Sequence, residues 1–189
     1  SEDQLSVTYG HIQGSGSAAK NETKAIYKQF ANILLDPSSL ATGSKQGFIF
    51  EGTHPTSGAI ANGFVNTATS VGSTVPYEDD MYFIVSERAR MKDRWNKENW
   101  TLTLSGSKSP IADGAMFTNS GSTLVLTDDS KTVTPTATPV GPRYNVVSGS
   151  GGTISDGSGS KYYGYFYPNV GIIALRAGML ARPFLTQLA

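Results

Sequence analysis

The side chains that most often carry chemistry are scarce in this chain. There is no Cys, and the two histidines are His11 and His54. General acid–base and nucleophilic catalysis usually need a His, a Cys or paired carboxylates. His11 has no second His, Cys or acid close to it in sequence, which favours a packed or surface residue over a base or a metal ligand. His54 lies in a Gly-Thr-His-Pro loop and is a weaker candidate. We therefore predict that the protein is not an enzyme and has no catalytic, cofactor-binding or metal-binding residues.

Two acidic runs and one glycine-rich loop are candidate ligand sites. Glu78-Asp79-Asp80 and Asp128-Asp129 could each offer oxygen atoms to Ca²⁺, but neither run has the alternating spacing of a dedicated calcium loop. Turn residues beside strands are the better interpretation. The loop from Gly149 to Gly159 lacks the Gly-Lys-Ser/Thr of a phosphate loop, and aromatic residues follow it instead of a helix. It is typical of a hairpin loop.

The densest charged stretch, Glu87 to Arg94, predicts a short helix followed by Trp95 and Trp100. Two interpretations stay open for it. One is a solvated helix face with local ion pairs. The other is a contact with a neighbouring subunit, because Arg and Trp are enriched in protein interfaces. On the second interpretation the interface candidates are Arg88, Arg90, Arg94 and Trp95.

One main helix is predicted at about residues 21–35. Asn21 is a suitable N-cap, and Ile26, Phe30, Ile33 and Leu34 recur at helical spacing. Asp36-Pro37 ends the helix. Residues 38–77 form a long polar loop, apart from a short strand at 48–50.

Strands are predicted by short apolar or alternating runs. These runs are residues 5–12, 81–85, 100–105, 124–126, 144–147, 162–167 and 170–175. Residues 134–142 hold three prolines and predict an extended connection. The fold class is therefore mainly β (α+β), an antiparallel sandwich or barrel-like core with one main helix.

Composition and length limit the possible partners and the domain organisation. Fifteen basic and fifteen acidic residues cancel, so we expect no nucleic-acid partner. No apolar run approaches the roughly 20 residues of a membrane-spanning helix. The length predicts a single domain over 1–189. The chain begins without Met, which indicates a processed product or a portion of a longer chain.

The last residues are unusually apolar. Met179, Leu180, Phe184 and Leu185 are our candidates for a subunit interface. Such a tail folds back on the core or docks on a neighbouring chain. We favour docking, in which a neighbouring subunit would also order the long polar loop.

Several stretches resemble virion structural proteins of contractile-tailed marine cyanophages. They are residues 9–17, 24–37, 82–90, 99–106 and 163–173, which follow one another over most of the chain. The resemblance implies a component of the phage particle and leaves its place in the particle open. Together with the missing catalytic groups, it leads to our hypothesis of a non-enzymatic virion protein, most readily of the tail or baseplate and otherwise of the capsid or neck. Its partners would be other virion proteins and copies of itself in a homo-oligomer or repeated array. The alternative hypothesis is a carbohydrate-binding or adhesion module, suggested by aromatic strands and Gly/Ser/Thr loops.

Overall fold

The protein is mainly β, as the sequence predicts, and nine of its described strands form one curled antiparallel sheet with the shape of a half-barrel. The computed structural model describes residues 4–14, 20–36, 47–49, 77–78, 80–91, 93–105, 123–155 and 162–177. In these residues the elements are β1 (Leu5–His11), α1 (Lys20–Leu34), β2 (Phe48–Ile49), β3 (Tyr77–Glu78), β4 (Asp80–Ser86), β5 (Leu102–Ser105), β6 (Thr123–Asp128), β7 (Thr136–Thr138), β8 (Gly141–Ser150), β9 (Thr153–Ile154), β10 (Gly164–Tyr167) and β11 (Ile172–Arg176).

The order of strands across the sheet is β1-β4-β11-β10-β8-β6-β5, with β7 and β9 attached to β8. Every strand pair among the described residues of this sheet is antiparallel. β2 and β3 pair with each other in a separate two-stranded sheet. At one end of the main sheet, β1 pairs with β4 over its whole length. Among the described residues, β1 and β5 are therefore the two edges.

The middle strands are buried on both faces, which explains their continuous apolar sequences. Ile173 and Leu175 point into one core cluster, which extends across the sheet from β4 to β5. Ile172 and Ala174 point to the opposite face, into a second cluster that α1 covers. Because side chains alternate along a strand, both faces need apolar residues here.

Helix α1 covers the face of the sheet that holds the second cluster, but the buried residues of the helix differ from the predicted ones. Tyr27, Ala31 and Leu34 are the buried residues, and Phe30 stacks on Phe83 with ring centroids 4.1 Å apart. The prediction for Ile33 was wrong, since 42% of it is exposed. Tyr27 was not predicted as a buried residue, because its phenol ring carries a polar hydroxyl. In the structure this hydroxyl accepts a hydrogen bond from the Phe48 N–H at 2.9 Å.

A glycine sets how closely α1 lies against the sheet. A Cβ at Gly10 would stand 2.9 Å from the backbone N and Cα of Tyr27. Real Cβ atoms do not approach backbone so closely, so any larger residue at this position must push the helix away. Gly10 therefore positions α1 on β1.

Two local predictions are corrected. Within the described part of residues 87–94 the helix is much shorter than predicted, since Arg88–Arg90 form a three-residue 3₁₀ helix and Met91 after them is extended. Residues 134–142 are not merely a connection, because β7 pairs with the start of β8. None of the three prolines lies within β7: Pro135 and Pro139 flank it, and Pro142 lies near the start of β8, and such positions at strand ends tolerate proline. Most of the predicted 38–77 loop lies outside the described residues.

Candidate subunit interface

The arginines of the predicted interface lie next to the turn between β10 and β11. Arg88 is exposed, and its Nη1 donates to the Asn169 carbonyl at 3.2 Å. Arg94 is also exposed, while the side chain of Arg90 lies outside the described residues. Main-chain bonds fix this segment, since the Ser86 N–H donates to the Gly171 carbonyl at 2.9 Å. The two described guanidinium groups are thus on a surface held firmly against the sheet, as either sequence interpretation allows.

Trp95 has a different position from the arginines. Its N–H donates to the Pro168 carbonyl at 3.0 Å, and its half-buried ring lies 6.2 Å from Trp100 and 5.7 Å from Phe166. Trp100 is 5.1 Å from Phe166, and its Nε1 is buried without a hydrogen-bond partner. The two indoles therefore pack against the edge of the core cluster that includes Phe166, and both remain partly exposed.

The remaining interface candidates, Met179, Leu180, Phe184 and Leu185, lie outside the described residues, and so does His54. Their part in assembly stays a prediction. The described chain reaches Ala177, which is buried directly after β11.

A group of buried polar residues at the end of β6 was missed by sequence reasoning. Thr127, Asp128 and Asp129 are at most 1% exposed. The Thr127 hydroxyl donates to the Trp100 carbonyl at 3.0 Å and accepts the Gly152 N–H at 2.8 Å. It thereby ties the segment before β5 to the β8–β9 turn.

Asp128 supports the same junction. Its carboxylate accepts the Glu98 N–H, at 2.9 Å to Oδ1 and 3.2 Å to Oδ2, and also a hydrogen bond from the Ser130 hydroxyl. Glu98 has a φ of 69°, an unusual value for a residue with a side chain. A Cβ at Gly152 would lie 2.8 Å from the Glu98 Cα. The carboxylate therefore holds a strained residue against a glycine that leaves room for it.

Asp129 is bound to β8 by three hydrogen bonds. The Asn145 N–H and Nδ2 donate to its carboxylate at 3.0 and 2.7 Å, and the Asp129 N–H donates to the Asn145 carbonyl at 3.2 Å. Burial raises the pKa of Asp129 above its ordinary 3.8, and the donors from Asn145 oppose the shift only in part. The carboxylates of Asp128 and Asp129 thus both accept hydrogen bonds from main-chain N–H groups. The sequence signal was the Asp-Asp pair itself, but the main-chain N–H groups that donate to the two carboxylates lie 16 or more residues away.

His11, the candidate base, lies in a small polar cluster at the end of β1. His11 Nε2 is 3.7 Å from Asp80 Oδ1, and its Nδ1 accepts the Gln13 N–H at 3.1 Å. The Tyr9 hydroxyl donates to the same Asp80 carboxylate. The half-buried imidazole agrees with the packed or surface interpretation, and both its nitrogens have protein neighbours.

Two further properties concern ligands and surfaces. Within the described ranges, no group of three or more His, Asp or Glu side chains is placed to hold a metal ion. Nor does any helix there combine the length and apolar character that crossing a bilayer requires. Among the described residues, the exposed large apolar side chains are those of Leu5, Val7, Ile33 and Val133. Leu5 and Val7 are adjacent on the same face of the edge strand β1.

Comparisons with protein-family models, curated proteins and solved structures find no match to this chain.

Proposed function

We propose that this chain is a non-enzymatic structural subunit of a phage virion, placed in the tail or baseplate, with the capsid or neck as the second choice. Its partners are other virion proteins and further copies of itself. The proposal combines the ordered sequence resemblance with the way in which the protein uses its buried polar side chains.

That use of polar groups is the observation that carries the proposal. Thr127, Asp128 and Asp129 each hydrogen-bond to main-chain atoms of another segment. Buried Arg176 likewise donates to the Tyr162 carbonyl at 3.2 Å. Catalytic acids are normally aimed at a cleft and keep capacity for a substrate. Here the same residue types fasten loops to a sheet, as a rigid structural subunit requires.

The stretches with the phage resemblance fall on this framework. Residues 9–17 include the end of β1, and residues 24–37 include most of α1. The later stretches include most of β4, all of β5 and β10, and the start of β11. The resemblance therefore concerns the covering helix and part of the sheet, and it does not include β6 to β9.

The alternative is a carbohydrate-binding or adhesion module, and the paired indoles Trp95 and Trp100 are the feature that favours it. Aromatic rings can serve as flat platforms for sugars when a whole face is open. Both indoles instead pack against Phe166, which favours a role in the core. A glycan array with saturable binding by the isolated protein would support the alternative.

Mass spectrometry of purified particles tests the main proposal. Particles separated on a density gradient and treated with protease to remove loosely attached protein should retain peptides of this chain. Their amount should follow that of known virion proteins across the gradient. Peptides found only in the lysate and never in the particle would refute the proposed function.

A further inference from the structure

Strand β1 presents an uncharged edge of the half-barrel. Its residues from Gln4 to Tyr9 include no Lys, Arg, Asp, Glu or Pro, and β4 is its one strand partner among the described residues. Natural sheets usually protect such edges with charges, prolines or bulges, because an exposed edge pairs readily with another strand. β1 runs for seven residues without these features.

The pairing pattern shows which backbone groups face outward. The Glu87 N–H donates to the Gln4 carbonyl at 3.0 Å, just beyond the Leu5↔Ser86 pair. Hydrogen-bonded and non-bonded pairs alternate in an antiparallel ladder. Ser6 and Thr8 therefore bond to β4, whereas the N–H and C=O groups of Leu5 and Val7 point away from it.

The side chains of the same two residues are also exposed. Leu5 is 46% and Val7 is 42% exposed, and both lie on the face of the sheet that α1 does not cover, opposite Ser86 and Ile84 of β4. Ser6 and Thr8 point to the other face, where α1 lies farther along the strand at Gly10. β1 thus presents an apolar face, a polar face and a row of outward backbone groups.

We propose that β1 pairs with β1 of a second copy, antiparallel and about a two-fold axis at Ser6. In this register Leu5 of each copy lies opposite Val7 of the other. The outward groups of both residues are then satisfied by four hydrogen bonds, and four apolar side chains meet on one face. Gln4 lies opposite Thr8, and Ser6 opposite Ser6, so polar residues meet on the other face.

The size of this contact sets how strong the association is. A pair of five-residue strands buries far less than the roughly 1,200 Å² of a stable interface. The isolated protein should therefore dimerise weakly and with clear dependence on concentration. In a repeated assembly the same edge acts together with other contacts and becomes effective through multivalency.

Disulfide trapping tests the register, because the chain has no cysteine of its own. Ser6 of the two copies would form a non-bonded pair, with Cα atoms about 4.5 Å apart, which suits a disulfide. The variant Ser6→Cys should give a covalent dimer of twice 20.0 kDa under mild oxidation. The matched control Thr8→Cys points to the same face. Its thiols would stand about 13 Å apart, at ~3.3 Å per residue, and it should stay monomeric.

Sedimentation across a concentration series is the second measurement. Val7→Pro removes an outward donor but no bond to β4, so this variant should remain monomeric where the unchanged protein dimerises. Ile33→Lys alters an equally exposed apolar residue on α1 and should associate normally. Equal cross-linking of both cysteine variants, or a Val7→Pro variant that associates normally, would overturn the β1 pairing. Neither result would bear on virion membership, which the particle measurement decides separately.

Discussion

Removing one hydroxyl should weaken the junction between the Trp100 segment and the sheet. In Thr127→Val, the buried Gly152 N–H loses its 2.8 Å acceptor and the Trp100 carbonyl loses its 3.0 Å donor. An unsatisfied buried polar group costs about 1–3 kcal/mol. The Trp100 carbonyl is partly accessible and should cost less than Gly152. We expect the free energy of unfolding to fall by about 2–4 kcal/mol in total.

The assay is urea unfolding followed by tryptophan fluorescence and far-UV circular dichroism. A loss of about 3 kcal/mol corresponds to a Tm lower by roughly 6–12 °C in a chain of this size. The control, Thr103→Val, makes the same chemical change at an exposed position of β5 and should shift stability by less than about 0.5 kcal/mol. If Thr127→Val unfolds at the same urea concentration as this control, the hydroxyl does not hold the junction and the reasoning is wrong.

Three further predictions concern the helix, the buried acid and the tail. Gly10→Ala should lose about 1–3 kcal/mol in urea unfolding, because the new Cβ meets the Tyr27 backbone; Thr8→Ala, on the same face, should lose clearly less. The raised pKa of Asp129 means that its charged form opposes folding. The stability of the unchanged protein relative to Asp129→Asn should therefore rise as the pH falls from 7 towards 4, and a falling difference would contradict the burial argument. Deleting residues 179–189 should prevent incorporation into particles while circular dichroism still shows the β fold; normal incorporation would exclude the tail as an anchor.

The sequence predicted the strands that are apolar without interruption, and the reason is physical. The central parts of β4 and β11 pack into core clusters on both faces, so residues 81–85 and 172–175 are all apolar, and this pattern is visible without knowledge of their neighbours. The C-terminal end of α1, which the structure has at Leu34, was equally predictable, because the effect of a nearby proline on a helix is local. The mainly β class follows from these elements together.

Features that depend on distant partners were not predicted. Asp128 and Asp129 look like surface turn residues, because the N–H groups that bind them come from Glu98 and Asn145. Residues 87–94 have good helix formers, yet bonds from Ser86 and Trp95 to the β10–β11 turn hold their ends in another path. Among the interface candidates, Trp95 turned out to have a packing role that composition could not reveal.

The most direct test of the proposed function is a cryo-EM map of the intact particle at a resolution that shows side chains. The account predicts density for this half-barrel in the tail or baseplate, repeated by the symmetry of the particle and in contact with neighbouring subunits. The paired indoles Trp95 and Trp100 beside Phe166 would identify the chain in that density. A complete map in which every ordered density belongs to other proteins would contradict the proposal.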